Sequence, residues 1–382
     1  MGERTGTLAG LAMSGANLIG LEEDVFRNRR VLVTGHTGFK GSWLSIWLAE
    51  LGAKIVGYSL PPPTEPSNFI SSGVQELLFQ HHEADVRDFE RLQSVVKETK
   101  PEVVFHLAAQ PLVRESYDSP RETFEANVMG TVNVLEAVRC AQIPCALVIV
   151  TSDKCYENRE QVWGYRESDA MGGHDTYSAS KGAAELVASS YRKSFFAPEQ
   201  LTQHQVQVAT ARAGNVIGGG DWAKDRILTD VVRCLTKREP VPLRNPQAVR
   251  PWQHVLEPLS GYLQLAAAML RNPSARWCKG WNFGPTPGDE LPVAELVEKF
   301  CHAWGEGHWQ DVSRPGQLHE AHFLRLSIDQ AVAELGWRPI WRVDKAIERT
   351  ARWFSEFHKS PEADSLNNCR CDIRQYSQQP TK

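Results

Sequence analysis

The chain has 382 residues, 42% hydrophobic and 23% charged, the balance of a globular protein with room for one large or two ordinary domains. Its formal charge of −4 argues against a nucleic-acid partner but leaves room for an anionic small molecule held by a few local cations. No stretch approaches the roughly 18 uninterrupted apolar residues that span a bilayer, and the first twenty residues lack the basic start and compact apolar run of a signal peptide.

A cytoplasmic chain is therefore expected, with no membrane partner and with residues 1–24 as a disordered extension. The eight cysteines show no zinc-type spacing, so they are expected as reduced thiols and no metal is expected.

Arg30–Thr34 (RVLVT) is a short apolar run that reads as a first strand. Gly35, Gly38 and Gly41 follow at GxxGxxG spacing and open a helix, Ser42–Leu51. Backbone without side chains can turn tightly there and approach a pyrophosphate, and the helix start offers free N–H groups. Gly35, Thr37, Gly38, Phe39, Lys40 and Gly41 are thus candidate cofactor contacts. The second strand, Lys54–Ser59, ends without the acid that commonly holds a ribose, and no arginine follows closely to take a 2′-phosphate. NAD is expected over NADP, with weak retention. Asp85 and Val86 follow the next strand and are placed to meet the adenine.

Val103–Leu107 and Ala146–Thr151 are further apolar strands, separated by a helical pattern over Arg121–Arg139. Tyr177–Phe195 is a helix that puts Tyr177 and Lys181 four residues apart on one face. An ammonium beside a phenol favours the phenolate, so the pair suits a base near neutral pH. Thr151 and Ser152 end a strand, where a hydroxyl can position a substrate oxygen. Val206–Arg212 reads as one more strand. Continuous Val/Ile/Leu runs alternating with helices predict a parallel sheet covered on both faces.

After about Asn215 glycine and proline punctuate the chain more densely. The expected division is a Rossmann domain over 25–215, with strands returning from about 248–284. A smaller α+β lobe is expected over 216–247 and 285–360, and a polar tail over 361–382.

The glycine loop, Tyr177-Ser-Ala-Ser-Lys181, His106-Leu-Ala-Ala109 and Asn127 before Gly130-Thr131 together resemble the extended short-chain dehydrogenase/reductase family, over about Arg30–Trp353. The resemblance implies a doubly wound Rossmann-type sheet that binds NAD(P), a carboxy-terminal lobe that binds a sugar-nucleotide, and a homodimer or homotetramer. It makes Thr151, Tyr177 and Lys181 the catalytic hydroxyl, base and lysine. It adds Leu107, Ala108, Ala109 and Asn127 to the cofactor site. His106 is expected to be structural.

Asp153 and Lys154 follow Thr151-Ser152 directly. A 4-epimerase, which only removes and returns hydride at one carbon, has no use for such a couple. A 4,6-dehydratase does: an acid must protonate the departing hydroxyl at carbon 6 while a base takes the proton at carbon 5. Asp153 is the expected acid and Lys154 the expected base.

Many dehydratases of the family carry Asp-Glu here. The Asp-Lys form, with the blocks His36–Trp43, Ser152–Tyr156, Arg212–Trp222 and Arg250–Val255, resembles the branch acting on CDP-glucose. Arg250 is the first candidate clamp for the diphosphate, followed by Arg212 and Arg244, with Asn215, Asp225 and Arg226 lining the substrate pocket. Another nucleotide sugar, an epimerase and a non-catalytic sensor remain as alternatives.

Overall fold

The computed structural model describes residues 24–314, 324–359 and 364–379. Seven parallel strands form the central sheet: β1 (Arg30–Thr34), β2 (Lys54–Ser59), β3 (Gln80–Glu83), β4 (Val103–His106), β5 (Cys145–Val150), β6 (Val206–Ala213) and one returning late in the chain. Before that last strand come β7 (Asn215–Ile217), β8 (Val241–Leu243) and β9 (Val249–His254). The returning strand is β10 (Gly280–Phe283), followed by β11 (Glu290–Pro292) and β12 (Trp309–Asp311). The sheet order is β10-β6-β5-β4-β1-β2-β3. This is the doubly wound order, and it reverses direction between β1 and β4, where a crevice opens at the carboxyl ends of the strands.

The strands alternate between two cores. Val31, Val33, Phe105, Val148 and Val150 face one apolar cluster, whereas Leu32, Val104, Leu147 and Ile149 face the other. Burial on both faces explains why these strands read as unbroken apolar runs. Helices α1 (Phe39–Glu50), α2 (Phe89–Thr99), α3 (Gly130–Ala141) and α4 (Thr176–Ser194) are the longer helices of the first half. They are followed by α5 (Ile227–Lys237), α6 (Leu256–Arg271), α7 (Val293–Trp304), α8 (Val343–Lys359) and α9 (Ser365–Ser377).

The helix expected over Arg121–Arg139 is not continuous. Pro120–Phe124 runs into a π turn at Glu125–Met129 before α3 begins. The wider turn re-aims one side chain, and the residue it sends inward is Asn127.

Beside the main sheet, β7, β9 and β11 form one small sheet and β8 and β12 another. The expectation that the chain rejoins the main sheet over 248–284 is thus corrected in part: β10 does, but β9 pairs with β7 and β11. The polar tail also needs correction, because residues 365–377 form helix α9. Its composition is polar, yet Cys369, Ile373 and Tyr376 repeat at helical spacing and are buried. The extension expected over 1–24 lies outside the described residues except for Asp24.

Candidate active site

A cleft of about 1660 Å³ runs along the carboxyl ends of the strands, between the main sheet and the small sheets. Its first wall is the glycine loop. Gly35 has φ +75°, and a Cβ there would lie 2.6 Å from the Ala108 nitrogen; a Cβ on Gly41 would collide with the Gly35 carbonyl. Only glycine lets this loop close so tightly that the first turn of α1 faces the cleft.

Thr37 Oγ1 is 2.8 Å from Ser59 Oγ and donates to the Leu60 carbonyl, which ties the loop to the end of β2. Asp85, Val86, Leu107, Ala108 and Ala109 continue this wall. Asp85 accepts from the Arg87 backbone and pairs with its guanidinium at 2.6 Å. His106 is structural as expected: it is buried, with Nδ1 2.7 Å from Thr34 Oγ1 and Nε2 3.3 Å from Thr131 Oγ1. Burial pushes its imidazole down to about 3, so it is neutral.

Asn127 does not reach the wall. Its carboxamide accepts from the Gln110 nitrogen, donates to the Gln110 carbonyl and donates to Ser180 Oγ, so it braces the Gln110 loop against α4.

At the centre, β5 ends in a short turn, Asp153–Cys155, opposite the start of α4. Tyr177, Lys181, Asp153 and Lys154 all line the cleft. Burial raises Asp153 above the usual carboxylate range, against the pull of Lys154, Ser152 and Lys40, so this acid holds its proton more tightly than an exposed one. Burial likewise pushes the Tyr177 phenol up to about 12, opposed by Ser152 and by Arg226. Burial is thus the larger influence on this phenol, and it works against the lowering that the Tyr–Lys spacing implies. Burial also lowers Lys181, to about 8.

The catalytic hydroxyl is corrected too. Thr151 also borders the cleft, but its Oγ1 donates to the buried Glu185 Oε1 at 2.5 Å. Ser152 is the one that donates to Asp153 at 2.9 Å, lines the cleft with Tyr177 and acts to lower its phenol. Alternation along an extended strand end sends adjacent side chains to opposite faces, so only one of the two hydroxyls can meet the tyrosine.

Asn215, Asp225, Arg226, Arg244 and Arg250 line the far half of the cleft. Asp225 Oδ1 pairs with both Arg244, at 3.4 Å, and Arg114, at 3.1 Å. Arg212 does not join them. It is buried on β6 and committed to Glu185 at 2.8 Å and to Tyr156 Oη at 2.6 Å, so it is not available to a diphosphate.

Asp221, Arg114, Arg159 and Arg314 also stand in the cleft wall, beyond the candidates that the sequence offers. Asp221 stands beside Arg226, and together with Asp153 it faces the Lys40 ammonium, which burial, Arg226 and Lys181 lower to about 8. No local spacing marks these residues; remote segments of chain bring them to one wall.

A family model described as GDP-mannose 4,6 dehydratase matches residues 32–350. The chain belongs to that family. Its members are extended short-chain dehydrogenases/reductases, as the motifs imply. Among its relatives is a CDP-glucose 4,6-dehydratase of Salmonella typhimurium, 50% identical over 333 residues, which cover 87% of this chain and 92% of that one. A CDP-paratose 2-epimerase of Salmonella typhi is 30% identical over 352 residues, covering 85% and 99%. The fold matches a dTDP-glucose 4,6-dehydratase of Bacillus anthracis solved in complex with NAD, with TM-score 0.71 and 21% identity over 88% of this chain and 99% of that chain.

Proposed function

We propose that the chain dehydrates CDP-glucose to CDP-4-keto-6-deoxyglucose with NAD as a recycled cofactor. The observation that carries this reading is the meeting, in one cleft, of a buried Asp153 with Lys154, Ser152, Tyr177 and Lys181. The 50% identity to the Salmonella enzyme supports the cytidine nucleotide.

The glycine loop fits a dinucleotide: Gly35 and Gly41 exclude side chains where the pyrophosphate would lie against α1. Asp85, Val86 and Leu107–Ala109 would hold the adenosine half, and Lys181 the nicotinamide ribose. Bound there, NAD supplies the acceptor and donor for the hydride that leaves carbon 4 and returns to carbon 6.

The protein's part is proton handling. With the positive charge of bound NAD added to the site, the Tyr177 phenol would be drawn down toward the phenolate that takes the proton of the 4-hydroxyl, with Ser152 holding that oxygen. The 4-keto group makes the proton on carbon 5 acidic. Lys154 takes that proton while Asp153 gives its own to the departing 6-hydroxyl, and water leaves. Arg226 and Arg244, in the lobe segment 216–247, and Arg250 on β9 supply the cations for the diphosphate.

We also place the protein in the cytoplasm as a homodimer or homotetramer. The eight cysteines are unpaired, and Met129, Leu186 and Phe195 leave an apolar face exposed on and beside α3 and α4. Light scattering of the purified protein checks this; a monomer at micromolar concentration rejects it.

Incubation with CDP-, UDP-, GDP- and dTDP-glucose tests the activity, read as the absorbance of a 4-keto-6-deoxy sugar in base. Product from CDP-glucose is expected. Turnover of another nucleotide alone removes the cytidine assignment, and no keto-deoxy product from any of them removes the dehydratase.

A further inference from the structure

Behind the cleft wall lies a buried polar chain that no step of the proposed reaction uses. Glu185 stands one turn beyond Lys181 on α4, on the helix face of Tyr177 and Lys181. Its carboxylate accepts from Thr151 Oγ1 (2.5 Å), Thr210 Oγ1 (2.7 Å), Arg212 Nε (2.9 Å) and Arg212 Nη2 (2.8 Å). Burial raises this carboxyl, but Arg212 and the hydroxyl donors outweigh it and hold it below the ordinary value.

Arg212 also points the other way. Its Nη1 donates to Tyr156 Oη (2.6 Å) and to the Glu167 carbonyl (3.2 Å), and the guanidinium lies 5.1 Å from the Tyr156 ring centroid. Tyr156 Oη in turn donates to Asn282 Oδ1 on β10 (2.8 Å). Tyr156 is the residue that directly follows the Asp153–Cys155 turn.

Side chains of Glu185 and Arg212 are 3% and 5% exposed. A buried ion pair is a poor source of net stability, because desolvation offsets the attraction and apolar packing would serve as well. What it does supply is direction, since a two-pronged guanidinium–carboxylate pair fixes both distance and orientation. This pair spans the two groups of side chains that the reaction needs. One end is the helix carrying Tyr177 and Lys181; the other is the turn carrying Asp153 and Lys154.

We infer that Glu185 and Arg212 are positioning residues, a rigid bracket that holds the oxidising half of the site in register with the eliminating half. The inference rests on the dehydratase reading above. With the bracket intact, the hexose oxidised at carbon 4 already lies against Asp153 and Lys154, so elimination follows without release.

Tyr156→Phe cuts the bracket on the elimination side alone, since Arg212 keeps Glu185 and the Glu167 carbonyl. In single turnover with CDP-glucose and NAD, the absorbance of reduced cofactor is expected to rise within about threefold of the wild-type rate. It then persists, because product formation is about 10- to 100-fold slower, the scale on which a misplacement of about 1 Å acts. Should Tyr156→Phe fail to fold, Arg212→Lys keeps the charge without the fork; it loosens both ends, and elimination is expected to slow about 10-fold more than oxidation.

Glu185→Gln slows both steps. Ser260→Ala is the control for mere destabilisation: its hydroxyl sits in a separate buried cluster, 2.8 Å from Trp337 Nε1 and 3.1 Å from Tyr376 Oη, and no split is expected. Amide hydrogen exchange without substrate is a second readout, with faster exchange over 152–156 in Tyr156→Phe and unchanged protection in α4.

Equal slowing of both steps, or no change in either, in a folded Tyr156→Phe or Arg212→Lys variant overturns the bracket. If the wild type dehydrates no CDP-glucose, the dehydratase reading fails instead. The bracket is then judged by exchange alone, and unaltered exchange over 152–156 overturns it.

Discussion

Ser152 donates to Asp153 and acts on the Tyr177 phenol, so both halves of the proposed chemistry meet at one hydroxyl. Ser152→Ala is expected to lower turnover about 10²-fold or more, in the range of positioned acid–base assistance. Thr151→Val removes one of four donors to Glu185 and acts mainly on stability, by about 1–3 kcal/mol. Steady-state rates and urea unfolding of the two variants check this, and the reverse ranking would restore Thr151 as the catalytic hydroxyl.

Asp153 must be protonated to act, and burial raises it. As pH rises through its titration, product formation should fall while oxidation at carbon 4 persists. Asp153→Asn, which cannot give up a proton, should lose about 10²–10⁴-fold in turnover at every pH. A Asp153→Asn enzyme with wild-type turnover would remove its role.

Both positions show where reading the sequence stopped. Strand end, turn and helix were all legible from apolar runs and the Tyr177/Lys181 spacing. Which of two adjacent hydroxyls faces the tyrosine depends on the phase of the strand end, and composition does not fix that.

Helix α9 is the element least expected. It packs on α1, with the Trp47 and Tyr376 ring centroids 5.7 Å apart, and Tyr376 Oη donates to the buried Glu257 at 2.6 Å. Arg349 pairs with the equally buried Asp372, and Trp353 Nε1 lies 3.4 Å from Cys369 Sγ. Removing residues 360–382 would leave Glu257 short of a donor, Arg349 without its carboxylate, and a row of aromatic rings exposed. A loss of about 3–5 kcal/mol is the scale for breaking a buried pair. A shortened chain that melts at the wild-type temperature would show α9 to be dispensable.

The helix is hidden in sequence because its buried face is a cysteine, an isoleucine and a tyrosine among polar residues. The π turn at Glu125–Met129 is hidden for a similar reason. A widened turn leaves the helical pattern almost intact and changes only where Asn127 points.

On the scale of the molecule, buried histidines couple stability to pH. His254 lies between Trp43 and Trp341, and burial together with Arg349 pushes it down to about 3. In the unfolded chain a histidine titrates near 6.5. Above that value His254 is neutral in both states and its contribution is intact. As pH falls below about 6.5 only the unfolded chain takes up the proton, so stability is lost progressively toward about 3, by about 1.4 kcal/mol per pH unit.

Buried acids work in the opposite sense. Glu257, raised to about 7, and Asp372, raised to about 6, both by burial, stabilise the folded state as pH falls. The useful comparison is therefore between variants. His254→Gln should be less stable than the wild type at pH 7, and the gap should narrow between pH 6 and 4 in urea titrations. A gap that stays constant would mean that His254 is protonated in the fold.

The sequence by itself determined the strand–helix alternation, the glycine turn, the Tyr177/Lys181 helix face and the Asp153–Lys154 couple. Each of these is written within a few residues, in apolar period or backbone freedom. Only the tertiary structure decided that Arg212 serves Glu185 rather than a phosphate, that Asn127 braces a loop, and that Arg114, Asp221 and Arg314 share a wall. Those outcomes depend on which remote segments meet when the sheet is covered on both faces. A charged side chain carries the same local signature whether it ends at a ligand or in a buried pair.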